Sequence, residues 1–115
     1  MSVLTIYHNP RCRKSRETLQ IIENKGAEYE VVKYLEEPLS ESGLKKVLEK
    51  LNAKPGDIVR KQEKIFKENY KGKNLSDEVI IKAIAEHPKL MERPIVVKGE
   101  KAVIGRPPEN VKELL

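Results

Sequence analysis

A chain of 115 residues has room for one core and one domain, and its single cysteine excludes an intramolecular disulfide and, with only His8 and His87 as histidines, argues against a structural zinc site. The net charge of +5 arises from 23 basic and 18 acidic residues, interleaved over most of the chain with few, scattered aromatics, which reads as solvated helix surface and argues against nucleic-acid binding. No apolar run approaches about 18 residues and the N-terminus lacks a signal-peptide pattern, so the expectation is a soluble, cytoplasmic protein without membrane contact.

Val3-Leu4-Thr5-Ile6-Tyr7 reads as a buried strand. From Arg13 the spacing of Leu19 and Ile22, with a stop at Gly26, predicts a helix, and Tyr29-Glu30-Val31-Val32-Lys33-Tyr34 alternates as a second strand. The opening is thus a βαβ unit. A right-handed crossover makes its strands parallel and leaves the segment His8-Asn9-Pro10-Arg11-Cys12 at the carboxyl end of the first strand, where α/β folds place ligands.

Ser40 is a cap for a helix whose apolar residues Leu44, Val47, Leu48 and Leu51 follow i, i+3, i+4, i+7 spacing, and Asn52 to Gly56 breaks it. A more polar helical stretch is expected from Asp57 through Arg60, Ile65 and Phe66, up to a turn at Lys71-Gly72-Lys73-Asn74. Ser76 then caps a helix through Ile80, Ala83 and Ile84 that ends before Pro88, with His87 as a helix-end residue.

The tail changes character. Pro94-Ile95-Val96-Val97 and Lys101-Ala102-Val103-Ile104 flank the turn Lys98-Gly99-Glu100, a hairpin signal, and Pro107-Pro108 opens a last helix through Val111 and Leu114. A βαβ unit, a middle run of helices and a closing ββα is the order of a thioredoxin-like α/β domain. It implies a four-stranded mixed sheet with flanking helices, in one domain over residues 1–115 with a helical insert at about 38–90.

Cys12 stands where strand gives way to helix. Unpaired N–H groups and the positive helix end favour an anion there, and Arg11, Arg13, Lys14 and Arg16 add cationic charge. A hundredfold gain of thiolate over thiol takes about 2.7 kcal/mol, within reach of a helix end and two or three cations. The opposing reading, a small inert buried hydrophobe, suits apolar flanks, and these flanks are cationic.

Three arginines sit near element ends: Arg60 in the middle helices, Arg93 before Pro94, and Arg106 in Gly105-Arg106-Pro107-Pro108. A planar guanidinium fork suits bidentate contact with a tetrahedral oxyanion; taken singly, each arginine could equally be a surface residue paired with a glutamate. Arg93-Pro94 resembles the X-Pro step that thioredoxin-like folds hold in the cis form facing the active thiol, which makes Pro94 a candidate cis-proline. His8 is expected to donate to or pair with the thiolate, and Ser15 Oγ to hydrogen-bond the Cys12 sulfur. The ordinary alternatives are a packed strand-end histidine and a serine bonded within its helix.

The segment Tyr7-His8-Asn9-Pro10-Arg11-Cys12-Arg13-Lys14-Ser15-Arg16 closely resembles the active-site segment of the glutaredoxin-linked bacterial arsenate reductases. Leu75-Ser76-Asp77-Glu78, Ala85-Glu86-His87-Pro88, Glu92-Arg93-Pro94-Ile95-Val96-Val97 and Gly105-Arg106-Pro107-Pro108-Glu109 extend the resemblance almost end to end. It implies a thioredoxin-like fold with a helical insert, Cys12 as catalytic cysteine, His8 as thiol-tuning histidine, and Arg60, Arg93 and Arg106 as oxyanion-binding arginines. Val59-Arg60-Lys61-Gln62-Glu63 is the loosest of these matches.

The implied activity is reduction of arsenate through a thiol-arsenate adduct on Cys12, with glutathione as co-substrate, glutaredoxin as partner, and no bound cofactor or metal. Two other readings use the same thiol. Regulators of the Spx type bind RNA polymerase, but usually carry a Cys-x-x-Cys switch where this chain has Ser15. A monothiol thiol-disulfide oxidoreductase would need Cys12 but not the arginines.

Overall fold

The computed structural model describes residues 3–70, 72 and 75–115, so the predicted turn at Lys71-Gly72-Lys73-Asn74 lies outside the described residues except for Gly72. The chain forms two compact units. One comprises the residues up to Glu37 together with Arg93–Leu115, and the other is Pro38–Glu92.

The first unit carries the sheet. Its strands are β1 (Leu4–Tyr7), β2 (Tyr29–Val32), β3 (Ile95–Lys98) and β4 (Lys101–Ile104), in the order β2-β1-β3-β4. β1 and β2 run parallel, with Leu4 beside Tyr29 and Tyr7 beside Val32. The helix α1 (Arg13–Asn24) makes the crossover, and Gly26, at φ +70°, takes the left-handed turn that follows it.

β3 is antiparallel to β1, pairing Tyr7 with Ile95, and antiparallel to β4, pairing Ile95 with Ile104. Gly99, at φ +60°, starts the two-residue turn between β3 and β4, the position where a tight hairpin favours glycine. This topology, with helices flanking and inserted, is the thioredoxin-like α/β fold.

Leu4 and Ile6 of β1, Val96 of β3, Ile22 of α1, and Val111 and Leu114 form the core cluster of this unit. Residues i and i+2 share a strand face, so the alternation of β1 sends Leu4 and Ile6 to the same side. The predicted last helix is a tighter 3₁₀ helix, Pro108–Leu114, packed on α1 and β4. A buried isoleucine or valine contributes about 1.5–3 kcal/mol, so this cluster anchors the elements that carry Cys12 and the hairpin.

In the second unit, α2 (Glu41–Leu51) and α5 (Asp77–Glu86) pack together, burying Leu44, Val47 and Leu48 from one and Ile80, Ile81, Ala83 and Ile84 from the other. The helix predicted from Asp57 through Phe66 is replaced by two short ones, α3 (Pro55–Ile58) and α4 (Lys64–Asn69). Pro55 opens α3, since a proline at the first helical position loses no hydrogen bond. Val59 then leaves the helix in extended geometry and bridges antiparallel to Met91.

Arg60 is therefore not on a helix. Among the described residues, no helix is long and apolar enough to cross a membrane.

Candidate active site

The loop after β1 is built by its own sequence. His8 extends the sheet by one hydrogen bond, its N–H donating to Val32 O at 2.8 Å. Asn9 Oδ1 then accepts from Arg11 N–H, and Asn9 O from Cys12 N–H, both at 3.0 Å. This is an Asx turn on a β-turn, with Pro10 where its fixed φ suits the second turn position. Cys12 follows as the extended N-cap of α1, and its carbonyl accepts the first helical bond from Arg16 N–H at 3.0 Å.

Ser15 is fully buried, and its Oγ accepts from Asn9 N–H at 3.1 Å and lies 2.6 Å from His8 Nδ1. This corrects the expectation that Oγ would address the sulfur. The backbone N–H groups of Ser15 and Lys14 serve Cys12 instead, while the hydroxyl ties His8 and Asn9 together. His8 is held to Ser15 rather than to the thiolate. Burial lowers its pKa first, and the charges of Lys33 and Arg16 add to this, which favours the neutral ring.

Cys12 is 9% exposed. Burial pushes its thiol pKa up, but the Ser15 N–H, the hydrogen bond and charge of Arg93, and the Lys14 N–H outweigh that and leave it below the ordinary value. Arg106 Nη2 donates to Sγ at 3.5 Å, and its Nε donates to Arg93 O at 2.7 Å. The four cations adjacent in sequence are exposed; of these, Arg13 pairs with Glu17 at 3.0 Å and Arg16 donates to Pro10 O at 3.1 Å.

Sheet register brings the two arginines to the sulfur. Tyr7, Ile95 and Ile104 lie side by side on neighbouring strands, so Arg93, before β3, and Arg106, after β4, reach the end of the sheet at which β1 delivers the thiol loop. The Arg93–Pro94 and Arg106–Pro107 peptide bonds are both cis, the second without any prior signal in the sequence reading.

Arg60 belongs to the other unit. Its Nη1 pairs with Glu92 Oε1 at 2.9 Å, and its N–H donates to Leu90 O at 2.6 Å, while its buried Nε has no hydrogen-bond partner among the described residues. His87 is the C-cap of α5, its N–H donating to Ala83 O at 2.8 Å. Among the described residues no cluster of three or more His, Cys, Asp or Glu side chains could hold a metal ion.

Sequence reasoning missed Thr18, a fully buried polar residue of this unit. Ser15, Thr18 and Ile22 follow helical i, i+3, i+7 spacing, which could have revealed that the buried face of α1 starts polar beside the thiol and becomes apolar further on.

With this geometry in place, comparison with known proteins is specific. The ArsC family matches residues 7–114. An arsenate reductase of Haemophilus influenzae is 48% identical over 120 residues, covering all of both chains, and the uncharacterized protein YfgD of Escherichia coli is 49% identical over 96% of this chain and 94% of its own. The solved structure of an arsenate reductase from Vibrio cholerae superposes with a TM-score of 0.94 at 46% identity, covering 99% of this chain and 98% of that one. The chain belongs to the ArsC family, arsenate-reductase-related proteins of the thioredoxin-like superfamily.

Proposed function

We propose that this protein reduces arsenate to arsenite through a covalent adduct on Cys12, drawing its electrons from glutathione and glutaredoxin. The observation that carries the reading is the pair Arg93 and Arg106, both engaged with a thiol whose pKa is lowered. An oxyanion arriving beside the sulfur meets two guanidinium groups that offset its charge, while the thiolate attacks arsenic(V), forming the S–As bond as one As–OH bond breaks and the departing hydroxide takes a proton from solvent to leave as water. Phosphate has nearly the same shape and charge, so selectivity rests on the chemistry: arsenic(V) can accept the thiolate and be reduced, and phosphate binds and leaves.

Reduction of arsenic(V) to arsenic(III) takes two electrons, which two thiols supply in becoming one disulfide. Cys12 is the chain's only thiol, so the second comes from another molecule, glutathione, and glutaredoxin resolves the mixed linkage. His8 and Ser15 are proposed to tune the thiol by ordering the loop. Arg60 is proposed as a third oxyanion arginine on the resemblance of its segment.

The test is arsenate-dependent NADPH consumption with glutathione, glutaredoxin and glutathione reductase. Wild type should turn over and Cys12→Ser should not. Absence of turnover in wild type, with a titratable low-pKa thiol present, would remove arsenate as the substrate. Disulfide-exchange activity that survives Arg93→Ala and Arg106→Ala would instead support the monothiol oxidoreductase.

A further inference from the structure

Arg106 reaches the sulfur from the end of a hairpin, and a guanidinium on a chain end is only as well placed as the backbone beneath it. The residue before it, Gly105, is buried in a slot. A Cβ added at Gly105 would stand 2.6 Å from Thr18 Oγ1, 2.8 Å from Pro94 Cγ and 3.1 Å from Thr18 Cγ2, closer than a real side chain tolerates. Glycine is required here by close approach of the backbone, since its φ is not among the positive ones.

The slot is held on every side. Gly105 N–H donates to Pro94 O at 2.8 Å. Thr18, fully buried, spends its hydroxyl proton on Lys14 O at 2.8 Å, with a long approach to Gly105 O at 3.4 Å, so its role toward Gly105 is chiefly steric. Asn110 Nδ2 donates to Ile104 O and to Arg106 O, both at 3.1 Å, and so clasps the backbone on either side of the glycine.

We propose that Gly105, Thr18 and Asn110 are positioning residues for Arg106: α1, Pro94 and the Asn110 amide fix the backbone so that the guanidinium falls on Cys12. Thr18 lies six residues from the thiol on the same helix, so the slot measures the end of the hairpin against the element that carries the nucleophile. The inference rests on the reading of Arg106 as an oxyanion ligand. A displacement of about 1 Å at such a group costs on the order of a hundredfold in a positioned reaction, which sets the scale of the effect.

The test uses inorganic phosphate as a non-reducible probe, measured by its protection of Cys12 from iodoacetamide, together with the pH midpoint of alkylation and a thermal melt. Gly105→Ala should fold cooperatively and require about 10- to 100-fold more phosphate for the same protection. Adding Thr18→Ala to it removes two of the three close contacts and should recover at least about threefold of that loss, a coupling that independent sites would not show. Asn110→Ala should weaken protection at least about threefold on its own.

A packing role alone would lower the melting temperature and leave phosphate protection of the folded protein unchanged. Protection within about twofold of wild type in Gly105→Ala, or losses that simply add in the double variant, would overturn the proposal. Should Gly105→Ala fail to fold, Asn110→Ala decides, and unchanged protection there overturns it. If Arg106→Ala itself binds phosphate like wild type, the oxyanion reading of Arg106 has failed; if only Arg106→Ala loses protection, the positioning claim alone has failed.

Discussion

Three helices of this protein begin on residues of the same size and shape and come to different ends. α2 and α5 start at Ser40 and Ser76, whose Oγ atoms accept from Gly43 N–H at 3.1 Å and Val79 N–H at 3.3 Å. α1 starts at Cys12, whose side chain makes no regular cap, yet the Ser15 and Lys14 N–H groups favour its thiolate. A serine oxygen satisfies the orphan donors and stops there. A sulfur in that place turns the same donors into a means of favouring the ionised nucleophile, and together with Arg93 they outweigh its burial.

The sharpest way to break the comparison is Cys12→Ser, which gives α1 the cap that α2 and α5 have. Turnover should fall to background. Stability, read by thermal denaturation, should change by no more than about 1 kcal/mol and could rise, because a serine cap contributes about that much. A large loss of stability would mean that the sulfur is a packing element rather than a poised group.

Next in size is Arg93→Ala, which removes from α1 the charge that the serine-capped helices do without. The pH midpoint of Cys12 alkylation should rise, because a hydrogen bond and a charge that lower the thiol pKa are both lost. An unchanged midpoint would show that the helix N–H groups suffice.

The linked stability has a definite sign. A thiol whose folded pKa is depressed contributes stability that is fully present above its unfolded value and lost as pH falls through the folded one. His8 behaves likewise. Its folded pKa lies below 6.5, so its contribution is full above pH 6.5 and disappears as the pH falls through the lowered value. Denaturant melts across pH 4 to 8 should show this as a slope that His8→Gln flattens, about 4 and 8 being chosen to bracket an ordinary histidine.

The smallest expected effect is Ser76→Ala, a loss of about 1 kcal/mol in a denaturant melt. It should leave the alkylation midpoint of Cys12 unmoved, because this cap does only the ordinary work of a cap.

Much of this protein is written locally. Asn9-Pro10 specifies the turn before the thiol, Cys12 falls at the helix start because that turn ends on it and the helical pattern runs from Arg13, Ser40 and Ser76 announce their helices, and the strand pattern gives the mixed sheet. These features depend on neighbours a few residues away, so they are legible in order along the chain. The short-range forecast failed where long-range pairing won: at the bridge from Val59 to Met91, closed by two backbone hydrogen bonds, the chain leaves the helix that local pattern favoured, and Arg60 pairs with Glu92.

The helix-start N–H groups beside the thiol follow from local pattern, but which cations reach the sulfur was decided by tertiary structure. The sequence crowds Arg11, Arg13, Lys14 and Arg16 around Cys12, but those side chains are exposed, where water screens them, and Arg13 and Arg16 are held by Glu17 and Pro10 O. The guanidinium groups that address the sulfur arrive from Arg93 and Arg106 by strand register. Charge acts through distance and dielectric, and both are properties of the folded chain.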